Sequence, residues 1–82
     1  MDIQYIKILG LAEQLKDNEF TVQDIQKNLY VNSITARLSE MRRIGLIQVK
    51  RRVPRTKEHP GFTVYVPTAV GKTYFKEKKK SE

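Results

Sequence analysis

The sequence predicts an α+β domain: three helices, a two- or three-stranded β-hairpin and a short C-terminal helix. Two features of the patterning predict it. Up to Arg43 the apolar residues recur at spacings of three and four, the period of a helix with one buried face. Beyond Gly45 the chain changes to β-rich runs, Leu46-Ile47-Gln48-Val49 and Phe62-Thr63-Val64-Tyr65-Val66, separated by the turn-forming stretch Pro54 to Gly61. At 82 residues, 39% of them hydrophobic, the chain makes one domain over residues 1–77, with a basic, frayed tail at 78–82.

The elements follow in order. Asp2 is placed to cap a first helix running to about Lys16, with Tyr5, Ile8, Leu9, Ala12 and Leu15 as its apolar stripe. Ile3 and Ile6 fall off that stripe. Either the C-terminal segment wraps the first turn, or a homodimer forms through the first helix or the C-terminal segment. Asp17-Asn18-Glu19 reads as a turn and Phe20 as an isolated core residue. Thr21 and Asp24 have the spacing of a capping box for a short second helix carrying Val22, Ile25 and Leu29. Tyr30-Val31-Asn32 connects tightly to a third helix over 33–44, capped by Asn32 or Ser33 and packed through Ile34, Leu38 and Met41. Gly45 ends that helix in a left-handed turn.

In the hairpin, Arg51 and Arg52 are adjacent, so they point to opposite faces. Pro67 stops the second strand. Thr68 caps the last helix, which turns Val70, Tyr74 and Phe75 inward and is weakened by Gly71. Phe62 and Tyr65 read as core aromatics, and His59 as a residue of the loop tip.

Charge is distributed unevenly. Residues 1–47 hold six basic and six acidic side chains, whereas residues 48–82 hold ten basic and three acidic, so the whole net charge of +7 lies in the C-terminal part. A basic segment next to an amphipathic helix with a polar outer face points to a polyanion. The absence of cysteine excludes disulfides and thiolate metal sites and fits a reducing compartment. One His without paired carboxylates, and four isolated glycines, leave no metal hydrolase, nucleophilic triad or phosphate-binding loop, so neither an enzyme nor a cofactor is expected. No apolar run approaches membrane-spanning length and no secretory signal opens the chain, which gives a cytoplasmic expectation.

Two short helices joined by a tight connection, the second with a free polar face, form a helix-turn-helix arrangement. Followed by a hairpin with a basic loop, it resembles the winged helix-turn-helix family. The run Ile34, Leu38, Met41, Gly45, Leu46, Ile47 is similar to that family's recognition-helix ending, and Tyr65-x-x-Thr68-x-x-Gly71-Lys72 to its distal strand ending. ITARLSEMRRIGLI is particularly similar to small winged-helix proteins of phages, plasmids, mobile elements and archaeal viruses.

The resemblance implies double-stranded DNA as partner and a probe helix, 33–44, in the major groove. Asn32, Ser33, Thr35, Ala36 and Ser39 then face base edges or nearby phosphates, and Arg37, Arg42 and Arg43 face phosphates. The basic wing, residues 50–61, brings Lys50, Arg51, Arg52, Arg55 and Lys57 to the backbone or minor groove. The implied function is a sequence-specific DNA-binding protein, a transcriptional regulator associated with the nucleoid or viral DNA. The alternatives are a replication, packaging or architectural DNA binder, and a winged helix used to dock a protein. Bland readings stand beside the site: Arg37 pairs with Asp24 or Glu40, and Arg42 is simply solvated.

Overall fold

A computed structural model describes residues 3–80, without the side chains of 79 and 80. The expected Asp2 cap therefore lies outside the described residues. The chain forms α1 (Ile3–Gln14), a single 3₁₀ turn (Lys16–Asn18), α2 (Val22–Asn28), α3 (Ile34–Arg43), β1 (Ile47–Val53), β2 (Phe62–Pro67) and α4 (Ala69–Lys80). The fold is α+β, four α-helices around a two-stranded antiparallel hairpin.

α1 is the central helix and packs against α2, α3, β2 and α4. Its buried residues are Ile8, Leu9, Leu11 and Ala12. Leu11 lies beside the anticipated stripe because α1 is covered from several sides, which widens its apolar face. The helix ends at Gln14, short of Lys16, where the chain tightens into the 3₁₀ turn. Asp17 and Asn18 both take left-handed backbone there (φ 58° and 57°), a region that short polar side chains tolerate better than most.

The capping box on α2 is formed. Thr21 Oγ1 accepts from the Asp24 amide at 3.3 Å, and Asp24 Oδ2 accepts from the Thr21 amide at 2.9 Å. Phe20, fully buried, exchanges both backbone hydrogen bonds with Tyr65 and stacks on its ring at 5.7 Å between centroids. A one-residue bridge thus lies along β2 on the side away from β1.

α3 ends as its sequence predicts. Gly45 is left-handed (φ 86°), its amide donates to Arg42 O at 3.2 Å, and the Leu46 amide donates to Met41 O at 2.8 Å. That is a Schellman closure, with Leu46 and Met41 together in the core. Its start differs: Ser33 is the cap residue but is itself left-handed (φ 53°), and neither it nor Asn32 caps the helix through a side chain.

The hairpin pairs Ile47 with Pro67 through Val53 with Phe62, with a bulge between Val49 and Arg51. Pro67 is thus the last paired residue of β2. Phe62 is 41% exposed rather than core, because it lies where the hairpin leaves the body of the domain.

α4 corrects three expectations. It continues to Lys80, through the first three residues of the anticipated tail, leaving residues 81–82 outside the described part. Val70 points outward, 60% exposed, while Tyr74 and Phe75 pack on the core. Gly71 is a packing requirement: a Cβ there would lie 2.0 Å from Leu46 O. Around it, the Thr68 amide donates to Leu46 O at 3.0 Å, the Thr68 hydroxyl donates to Gly45 O, and Thr68 Oγ1 accepts from the Gly71 amide at 3.0 Å. Thr68 and Gly71 latch the start of α4 onto the end of α3. α4 also covers part of α1, with Phe75 against Gly10, and Ile3 stays 60% exposed.

Candidate nucleic-acid interface

α2 packs against α3, and the five residues from Leu29 to Ser33 join them. Because Leu38 and Met41 are buried and Ile34 half-buried on the core, the helical period turns the remaining residues away from it. Thr35, Ala36, Ser39, Arg42 and Arg43 are exposed, as are Asn32 and Ser33 ahead of the helix. The outer face therefore carries small polar groups near the N-terminus and two arginines in the last turn. Since no side chain caps α3, its first-turn amides are not occupied by one, and such amides carry partial positive charge.

Arg37 departs from this set. It is half-buried, and its Nε lies 3.3 Å from Glu40 Oε1. The same oxygen accepts from the Tyr5 hydroxyl at 2.7 Å, which ties α3 to α1. Glu40 is the partner rather than Asp24, whose carboxylate is engaged in the capping box. Arg37 thus belongs to a network that fixes the helix as much as to its outer face.

The hairpin divides its cations into two groups. Arg51 Nη1 lies 2.7 Å from Glu19 Oε1, and Lys50 Nζ lies 3.8 Å from Glu19 Oε2. A regular strand sends neighbours to opposite faces; the bulge at Lys50 lets two consecutive cations reach one carboxylate. Arg52, Arg55 and Lys57 are exposed and have no ion pair among the described residues. The loop that presents the last two is internally ordered: Thr56 Oγ1 accepts from the Glu58 and His59 amides at 3.3 and 3.0 Å, and the Thr56 amide donates to His59 O at 2.9 Å. His59 is exposed near the tip.

Two residues outside the anticipated set belong to this surface. Tyr30, in the α2–α3 connection, is 85% exposed, the largest value among the exposed large apolar residues. Its sequence signal was an aromatic that fits no apolar stripe. Glu19 carried no such signal, because its role depends on the bridge that brings Phe20 beside β2. Among the described residues no group of three or more His, Asp or Glu side chains comes together to hold a metal, and no helix is long and apolar enough to cross a membrane. The chain matches no protein-family model, no curated protein and no solved structure.

Proposed function

We propose that this chain is a sequence-specific double-stranded DNA-binding protein of winged-helix type, acting as a non-enzymatic transcriptional regulator. The observation that carries the reading is the division of α3: Leu38 and Met41 are sealed in the core, while Asn32, Ser33, Thr35, Ala36, Ser39, Arg42 and Arg43 are exposed as one polar and basic face. An α-helix fits the major groove, where each base pair offers a distinct donor and acceptor pattern. Asn32 suits adenine, Thr35 and Ala36 suit a thymine methyl, and Arg42 and Arg43 suit phosphates or guanine.

The hairpin is the wing on this reading. Arg52, Arg55 and Lys57 supply backbone or minor-groove contacts, and Tyr30, exposed in the connection ahead of α3, adds a hydroxyl able to donate to a phosphate. The open first-turn amides of α3 favour an anion at that end. Against a protein-docking role for the same face stand Ser33, Ala36 and Ser39, since Ser and Ala are depleted at protein interfaces.

Titration of a mixed-sequence duplex into isotopically labelled protein tests the surface. Amide shifts are expected at 30–39 and at 52–57. Shifts confined to α1 and α4 would place the nucleic acid elsewhere and refute the assignment.

A further inference from the structure

This inference rests on the DNA-binding reading and concerns which wing cations take part. We infer that Glu19 is an internal stand-in for a DNA phosphate: it holds Lys50 and Arg51 out of the interface and so sets the non-specific affinity of the wing. Three observations carry it. The Arg51–Glu19 contact, 2.7 Å from Nη1 to Oε1, has the length of a strong charge-assisted hydrogen bond. The Glu19 side chain is only 20% exposed, against 55% for Arg51 and 49% for Lys50, so the carboxylate is the more fixed partner. Its backbone is held on both sides: the Glu19 amide donates to Lys16 O at 3.2 Å, and Phe20, fully buried, exchanges both backbone hydrogen bonds with Tyr65.

The bulge completes the device. Inserting Lys50 between Val49 and Arg51 converts two side chains that would alternate into two that converge on one carboxylate, one on each oxygen. The effect is electrostatic: the first two basic residues of the hairpin are drawn to one carboxylate of the domain, whose single charge offsets one of their two, and Arg52, Arg55 and Lys57 remain to neutralise phosphates. Of the five wing cations, three are thus left without an ion pair among the described residues. A small domain with few base contacts gains selectivity when its sequence-independent attraction is held down, because genomic DNA offers a vast excess of non-specific sites.

The test is the salt dependence of binding to a random-sequence duplex for wild type, Glu19→Gln and Arg51→Gln, each checked for folding by circular dichroism. Removing the Glu19 charge is expected to tighten binding at 0.1 M salt by about eightfold if one cation is released and about sixtyfold if both are, and to steepen the slope of log K against log salt by about 0.9 per cation. Arg51→Gln is expected to leave the slope at the wild-type value, because Arg51 contacts no phosphate. Wild-type binding with an unchanged or weaker Glu19→Gln complex, a Glu19→Gln slope no steeper than wild type, or a slope flattened by Arg51→Gln, would overturn the inference and leave the DNA-binding reading intact. A wild-type protein that does not bind at low salt would overturn both.

Discussion

Replacing Gly71 with alanine sets two effects of known size against each other. Helix propensity alone favours alanine by about 1 kcal/mol in a helix interior. Contact opposes it. The new Cβ would lie 2.0 Å from Leu46 O and 2.9 Å from Leu46 C, where ordinary contact begins at 3.4 Å, so α4 or the Leu46 carbonyl must retreat by about 1.4 Å. Such a shift strains a packed junction by about 1–3 kcal/mol. It also stretches the Thr68 amide bond to Leu46 O and the Thr68 hydroxyl bond to Gly45 O, at about 1 kcal/mol each. Contact wins, and the variant is expected to be less stable by about 2–4 kcal/mol, which lowers the melting temperature by about 10–30 °C in a domain of this size. Urea unfolding followed by circular dichroism, with the slope shared between variants, reads the change as a shifted midpoint. A Gly71→Ala protein as stable as wild type, or stabilised by the propensity term, would refute the latch between the start of α4 and the end of α3.

Other substitutions separate the remaining contributions. Gly45→Ala should cost about 1 kcal/mol by urea unfolding, from its left-handed backbone alone, since nothing lies within 4 Å of its Cβ position. Thr21→Ala removes one half of the capping box and should cost about 1 kcal/mol in the same assay. Arg52→Ala or Arg55→Ala should weaken binding equally on all duplex sequences and flatten the salt slope by about 0.9 each, measured by fluorescence anisotropy. Asn32→Ala or Ser39→Ala should instead relax preference at individual positions by about 1–3 kcal/mol, read from competition between single-base variants of a preferred duplex.

The helical part of this fold was legible because periodicity and caps are local. The stripe of Ile34, Leu38 and Met41, the Thr21–Asp24 box and the left-handed Gly45 each need only a few neighbouring residues to declare themselves. What was illegible depends on contacts distant in sequence. Gly71 read as a weak point in a helix until Leu46, 25 residues earlier, is seen to occupy the space its side chain would need. Val70 and Phe62 read as buried from their apolarity, yet a helix lying on one side of the core and a hairpin projecting from it leave them exposed. The cations followed the same rule. Those of α3 were assigned to a face by period alone, except Arg37, which Glu40 draws into a network with Tyr5. Lys50 and Arg51 were grouped with Arg52, Arg55 and Lys57 because composition does not register a bulge or a carboxylate on another segment.

Recognition of DNA by the outer face of α3 is tested most directly by incubating the purified protein with random-sequence duplex across a salt series and sequencing the bound fraction. The account predicts a steep loss of binding with salt, at about 0.9 per neutralised phosphate, and an enriched motif short enough for one helix and one wing. The same salt dependence without a motif would contradict sequence-specific regulation and favour an architectural or replication role. Absence of binding at low salt would contradict nucleic-acid recognition altogether.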